Sequence, residues 1–487
     1  MKNSIDMIRQ RWPSAKDFYN ERDHRTQLLL GDSYAYVHRI VEIHVDPSLS
    51  SDVTVQRIAL LAANLTSRWA RNVHVFAPDV RLADPLRGHG DDTLCARIER
   101  EMLAADPFGS FTVCQEGLSD PTSLRLFVGF ARQSSTSLMA DDYIVDATGW
   151  SSVGCRASSS RTTYERNAAT APAAALAAAI GAADLFKRAI GDPPECWMGS
   201  ISWCTWHHIL ESDSECRAFH PAVANNLNLG KLLVAGVGAI GSALLYMLDL
   251  MPLQGRVTLL DRDAVETSNL NRSPLFTAGD AAAQLHKTAV AQKYLLSSEA
   301  EINVVQGTWK ANGEELSRRP FDVWVSLTNE DSAWAEVPFQ LPPIVLHGTT
   351  TSGWGIGFGR HIPRIEDCTE CRLPRPHAEF RGPCSEGDVS PIEQEEPARA
   401  SLPFLSAASA ALVAAELLKL EHSNVSDLPN MLSADFRFGL SSVVAVSVGP
   451  TDGCAGCQIA ALPLWFERGG RSRYAHLSSP SGEELLK

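Results

Sequence analysis

Short uninterrupted apolar runs alternate along this chain with longer stretches of helical period, and most of the runs end in acidic or small polar residues. Val73–Asp79, Asp142–Thr148, Lys231–Ala235, Val257–Asp263 and Asp322–Thr328 read as buried strands. Helical stretches alternate with them, among them Ser242–Leu248 and the alanine-rich runs ending at Lys187 and Lys419. This alternation predicts a doubly wound α/β architecture with mostly parallel sheets.

The pattern occurs twice. Val73–Asp79 aligns with Val257–Asp263 at an offset of 184, and Asp142–Thr148 with Asp322–Thr328 at 180. The helix ending Ala182-Ala-Asp-Leu-Phe-Lys187 matches Ala414-Ala-Glu-Leu-Leu-Lys419 at 232. The jump in offset predicts an insertion between Thr328 and Ala414, which holds Cys368, Cys371 and Cys384. A duplicated chain follows: one domain over 1–200, a second over 201–465, and a mobile tail over 466–487. The junction lies within residues 192–230, where Asp192-Pro-Pro-Glu195 precedes an aromatic, His-rich strand (Ile201–Ile209) and the polar Asn225-Asn-Leu-Asn228. Residues 158–161 and 387–400 read as loops.

Composition narrows the function. At 487 residues with 45% hydrophobic content the chain supports a sizeable core. A net charge of −14 argues against nucleic acid and anionic membranes as partners. No apolar stretch reaches the ~18–20 residues of a membrane span, and Met1–Trp12 has no secretory core, so a cytoplasmic protein is expected. Six cysteines between Cys95 and Cys216 have no regular spacing and are expected to be reduced and buried.

The chemistry begins after the strand at Lys231–Ala235. Gly236-Val-Gly238-Ala-Ile-Gly241 opens a helix, which is the strand, glycine turn and helix order of a nucleotide site. Gly236 permits the turn, Gly238 lets backbone approach phosphate, Gly241 lets helix pack on strand, and the helix N-terminus offers amides to an anion. Asp261, about twenty residues on, is placed to bind ribose hydroxyls. Ser268-Asn-Leu-Asn-Arg272 and Lys287 then supply two cations, more than a pyrophosphate needs and suited to a triphosphate.

These residues together resemble the ThiF/MoeB and ubiquitin-activating enzyme superfamily over about residues 228–460. The resemblance implies that Asp261 holds the ribose, Asn269 and Arg272 the phosphates, and Lys287 the α-phosphate of ATP. It implies that Asp263 supports the phosphate or metal end. Where that family has an Asp for Mg²⁺, this chain reads Ser326-Leu-Thr-Asn329-Glu330-Asp331. Asn329 is a poorer ligand for a hard dication, so Asp331, or else Glu330, is expected to substitute.

Cys368-Thr-Glu-Cys371 and Cys454-Ala-Gly-Cys457 offer four thiolates for a structural, tetrahedral Zn²⁺. Cys384 stands in a polar loop; the resemblance makes it a crossover-loop nucleophile that takes an adenylated C-terminus as a thioester. The first half has no GxGxxG, and Ala77 stands where the second has Asp261. It resembles the inactive adenylation domain of ubiquitin-activating enzymes, which makes the chain an intramolecular pseudo-dimer, as a monomer or a homodimer. An arginine from this half is then expected at the ATP site, with Arg9 and Arg11 as candidates against a solvated role.

The expected activity is ATP-dependent activation of a ubiquitin-like protein at its C-terminal tail, with thioester formation on Cys384 and transfer to a conjugating enzyme. The resemblance is nearest to compact bacterial enzymes of this type, several of which serve antiphage (antiviral) defence. The alternatives are a ThiF/MoeB-type adenylyltransferase acting on a sulfur carrier or peptide, and a pseudoenzyme scaffold.

Overall fold

Strands of two to nine residues form two eight-stranded sheets with the same strand order. The computed structural model describes residues 2–477 apart from 31–34, 85, 87–89, 91, 116–119, 130–137, 160–166, 211–219, 224–226, 296–298, 320, 329–343, 352, 363–364, 373–401, 423–424, 460–471 and 475–476. Asn329, Glu330, Asp331 and Cys384 therefore lie outside the described residues, as does the loop at 387–400.

In the first half, helices α1 (Lys2–Arg11), α2 (Ala15–Arg22) and α3 (His24–Leu30) precede β1 (Ile40–Val45), α4 (Val53–Ser67) and β2 (Asn72–Phe76). There follow α5 (Leu94–Ala105), β3 (Ser110–Cys114), β4 (Leu124–Val128), β5 (Tyr143–Thr148), β6 (Ser151–Arg156), α6 (Ala171–Ala189), β7 (Ile201–Cys204) and β8 (Ile209–Leu210). The second half opens with β9 (Leu227–Ala235), α7 (Ala239–Asp249), β10 (Leu253–Asp261), α8 (Ala278–Ala282), α9 (Lys287–Tyr294), β11 (Glu301–Gln306) and α10 (Trp309–Ser317). It closes with β12 (Val323–Ser326), β13 (Val345–Thr350), β14 (Gly355–His361), α11 (Thr369–Arg372), α12 (Pro403–Lys419), β15 (Met431–Asp435), β16 (Val443–Val446) and α13 (Ala455–Ile459).

The sheets run β3-β2-β1-β4-β5-β6-β7-β8 and β11-β10-β9-β12-β13-β14-β15-β16, so each strand has a counterpart eight positions on. Five strands of each sheet are parallel and the last three antiparallel. These are two large, mostly parallel α/β sheets of doubly wound form.

Three expectations change. Asp142–Thr148 is β5, whose counterpart is β13, whereas Asp322–Thr328 holds β12, the counterpart of β4. Two buried parallel strands, each preceded by Asp, look alike in sequence, and the alignment slipped by one strand. The strands over 201–210 extend the first sheet, β7 pairing with β6 and β8 with β7, beyond the division expected at 200/201. Within the expected mobile tail, Tyr474 and Leu477 are buried, and the Arg473 amide donates to Asp322 at 2.9 Å. One aromatic and one leucine anchor an otherwise polar stretch. The extra length of the second half falls between β14 and α12, residues 362–402 against 157–170.

The halves share one core. Helix α6 is buried from Ala171 to Lys187, as is its counterpart α12 over its whole length, and the two pack on each other. A helix apolar on every side has to be enclosed, and alanine allows close approach. Phe186 of α6 meets Phe404 of α12 at 5.6 Å between ring centroids. An element that packs on its own counterpart lies on a two-fold relation between the halves, the geometry of a symmetric dimer within one chain.

Candidate functional site: a nucleotide crevice and a thiolate cluster

β9 and β12 are neighbours, and the strand that follows each lies on the far side of it, β10 beyond β9 and β13 beyond β12; this is the switch point at which open α/β sheets bind ligands, beyond the C-terminal ends of the strands. Gly236 turns the chain there at φ +98°, and a Cβ on it would stand 2.6 Å from the Leu327 carbonyl carbon. A Cβ on Gly241 would collide with the Gly236 carbonyl oxygen, so this glycine protects the turn itself. In front of Gly238 there is open space. Gly238 caps α7 with no side-chain hydrogen bond, leaving the first amides of the helix for a ligand.

The first half contrasts at this point. The counterpart helix α4 is capped by Asp52, whose carboxylate accepts from the Thr54 amide at 2.7 Å and the Val55 amide at 3.4 Å. An anion already sits where a phosphate would go. Ala77, buried, follows β2 where Asp261 ends β10.

Asp261 accepts from the Val237 amide (2.7 Å) and the Asp263 amide (2.8 Å), so it ties the glycine turn to the β10 loop. A carboxylate has roughly four lone-pair sites, which leaves capacity for hydroxyl donors. Asn269 is buried, and its Oδ1 accepts from the Glu266 amide at 3.0 Å, which leaves its Nδ2 as a donor. Lys287 begins α9, and its Nζ meets Asp263 Oδ2 at 2.8 Å. Burial alone would raise the Asp263 carboxyl, but the hydrogen bond and charge of Lys287, with Arg262, outweigh it and hold it below the usual carboxylate range.

Arg272 is 8% exposed, and its Nη1 donates to the Ser268 carbonyl and to Asn271 Oδ1. Among the described residues no carboxylate pairs with it. Burial first, and then the charge of Arg25, push its proton affinity well below the ordinary arginine value. Arg25 belongs to α3 of the first half. Of the arginines that precede β1, Arg25 is thus the one whose charge reaches Arg272, whereas Arg9 is exposed and Arg11 is paired with Glu21 at 2.8 Å. The same Glu21 accepts from Thr267 Oγ1 (2.7 Å), and Asn271 Nδ2 donates to Thr26 Oγ1 (3.1 Å), so α2 and α3 dock on the 267–272 loop. Arg25, Glu21 and Thr26 carry no motif, and their separation from Arg272 along the chain hides them.

The four cysteines of the two CxxC pairs converge. Cys368 and Cys454 sulfurs are 3.5 Å apart, Cys371 and Cys457 3.4 Å, and Cys368 and Cys371 3.8 Å. A disulfide needs about 2.05 Å. Four thiolates around Zn²⁺ at about 2.3 Å stand about 3.8 Å from one another, so this donor set fits a tetrahedral zinc. Among the other described cysteines none is bridged; Cys196 and Cys204 are buried, whereas Cys95, Cys114 and Cys155 are half-buried rather than buried.

No described helix is long and apolar enough to cross a membrane. Residues 212–437 match the sequence model of the ThiF family. The chain is 26% identical over 164 residues to the sulfur carrier protein ThiS adenylyltransferase of Bacillus subtilis, a match over 31% of this chain and 46% of that protein. It thus spans about half the length of that curated relative. Among solved structures, E. coli MccB with MccA-N7isoASN is 17% identical at a TM-score of 0.37, over 47% of this chain and 66% of that one. E. coli MccB alone is 15% identical at 0.37, over 65% and 96%. Residues 212–437 of this chain are a ThiF family domain, homologous to the ThiF- and MoeB-type adenylyltransferases.

Proposed function

We propose that the chain activates the C-terminus of a small ubiquitin-like protein with ATP. The observation that carries this reading is the uncapped N-terminus of α7, whose glycine turn is tied through Asp261 to Asp263 and so to Lys287. The partner's carboxylate oxygen attacks the α-phosphorus; the new O–P bond forms as the bond to the β-phosphate oxygen breaks and pyrophosphate leaves. Asp261 holds the ribose, α7 amides and Asn269 the phosphates, and Arg272 with Arg25 offsets charge that grows on them. Lys287 exchanges Asp263 for the α-phosphate. Mg²⁺, the partner of ATP in this chemistry, falls to Asp331 or else Glu330, outside the described residues.

Cys384 then attacks the acyl carbon, AMP leaves, and the thioester passes to a conjugating enzyme. The cluster of Cys368, Cys371, Cys454 and Cys457 holds a structural Zn²⁺ that supports folding. The first half serves as the inactive partner of the pseudo-dimer, and a bacterial defence pathway is the setting of such compact enzymes.

The test combines the protein, Mg-ATP and a panel of β-grasp proteins with free C-terminal glycine on non-reducing gels, with Cys384→Ala in parallel. A thiol-sensitive adduct absent from the variant supports the reading. The homology to the ThiS adenylyltransferase favours a second reading, adenylation of a sulfur carrier without a thioester relay. Pyrophosphate exchange with no adduct selects it. Absence of both points to a scaffold.

A further inference from the structure

Outside the nucleotide crevice and the four-cysteine cluster, a second set of soft ligands converges in the first half. Cys204 ends β7, His207 follows three residues on in the turn to β8, and His220 stands on the segment leading to β9. Cys204 Sγ lies 3.7 Å from His207 Nδ1 and 3.2 Å from His220 Nε2, and all three ligand atoms fall within 4.8 Å of one another. Zn²⁺ bound at about 2.3 Å to sulfur and about 2.0–2.1 Å to imidazole separates sulfur from nitrogen by about 3.6 Å in a tetrahedron. The observed pair brackets that value.

A further sign lies in the backbone. The His207 amide donates to Cys204 Sγ at 3.4 Å, which aims an N–H dipole at the sulfur and favours its thiolate form, the form that ligates metal. The imidazoles are turned onto the sulfur, and their ring centroids stand 5.5 Å apart at 37°, which is no stacking contact. One thiolate with two imidazoles suits a borderline-soft dication.

We propose that Cys204, His207 and His220 bind a second Zn²⁺ that braces the exit of the chain from the first sheet. The turn it closes carries Trp206, edge-on to Trp150 at 4.9 Å and to His422 of the second half at 5.1 Å. His208, which follows His207, sits at φ +58° and reaches Glu416 on α12 at 2.6 Å. Pro221, beside His220, accepts from Trp150 Nε1 at 3.1 Å. A metal at this point fixes the β7–β8 turn and the segment at His220 to each other, and through His208 it fixes the contact of the two halves.

Metal content and cobalt titration of the full chain test this. The purified protein is expected to carry two zinc ions. The Cys368→Ser/Cys371→Ser variant is expected to keep one, and Cys204→Ser/His220→Ala to keep the other. Metal-free wild-type protein titrated with Co²⁺ is expected to show two equivalence points, one with thiolate-to-cobalt absorption several times that of the other. A single equivalence point in the wild type with the four-thiolate spectrum overturns the proposal, even if the variants do not fold. Zinc content unchanged in His220→Ala also overturns it. One ion lost only with Cys204 and His220 would uphold this site and refute the four-cysteine zinc instead.

Discussion

Arg272 is a guanidinium at 8% exposure whose recorded acceptors, a carbonyl and an amide, both lie on Nη1, with the charge of Arg25 nearby. The charge of Glu266 offsets its desolvation only in part, and an incoming phosphate would supply the rest. Arg272→Ala is therefore expected to lower pyrophosphate exchange at saturating ATP by about 10²–10³-fold. Arg25→Ala should lower it by about tenfold or more, while Arg9→Ala leaves it unchanged. Equal effects for Arg25 and Arg9 would exclude the cross-interface role. A second residue, His208, shows a pH dependence. Burial, aided by Lys419, lowers its ring to about 4, so the native state keeps it neutral while the unfolded chain takes a proton below its ordinary value. Native stability from this group is thus complete above pH ~6.5 and is lost as pH falls toward about 4, by up to ~1.4 kcal/mol per unit. The destabilisation caused by His208→Gln should be largest at neutral pH and shrink over that window in denaturant titrations. Arg272 and Lys287 were legible because they follow a glycine turn and an acid at fixed spacing. Arg25 and His208 were not, because their environment comes from elements far away in the chain.

Helices α4 and α7 occupy the same place in the two halves, and their first residues separate a filled anion site from an empty one. Asp52 stitches the α4 amides to its own carboxylate, and Gly238 leaves those of α7 bare. Installing the first half's device in the second tests the distinction. Gly238→Asp has open space for its side chain, and an aspartate cap in place of glycine changes helix stability by only a few tenths of a kcal/mol. The variant is expected to melt at or slightly above the wild-type temperature while its ATP affinity in calorimetry falls by at least about 100-fold, the order expected when a fixed carboxylate repels phosphate. Loss of folding, or unchanged ATP binding, would remove the helix terminus from the site. At this scale the sequence was informative about element type and order, since apolar run and helical stretch alternate plainly. It was weak on identity: β5 and β12 share an Asp followed by a buried run, and only strand pairing tells which is whose counterpart.

The whole molecule assigns the first half a mechanical task. Arg68, which caps the end of α4, is buried, and burial lowers its guanidinium to about 9. It donates to the carbonyls of Leu270 (2.8 Å), Pro274 (2.6 Å) and Phe276 (3.2 Å), so it grips the loop that carries Asn269 and Arg272 from the other side of the interface. Glu21 and Thr26 hold the same loop at Thr267 and Asn271. Arg57 makes a bond of the same kind to the Leu250 carbonyl, from Nη2 at 2.9 Å and Nε at 3.1 Å, but at the opposite end of α7 from Gly238. Eleven helical residues at about 1.5 Å each put these ends about 16 Å apart. The pair is therefore a controlled comparison. Arg68→Met and Arg57→Met each take donors from carbonyls, of which Pro274 keeps another in Asn64 Nδ2 (3.1 Å), and should each destabilise the protein by about 1–3 kcal/mol per carbonyl left unpaired. Only Arg68→Met should also raise the KM for ATP and slow pyrophosphate exchange, measured well below the melting temperature of either variant, because only it frees the phosphate loop. Equal kinetic loss in both would mean that the first half acts on the site merely through overall stability. No loss in either would mean that the 267–272 loop keeps its shape without the grip of the first half, and the reason for fusing the two would have to lie elsewhere than in ATP binding.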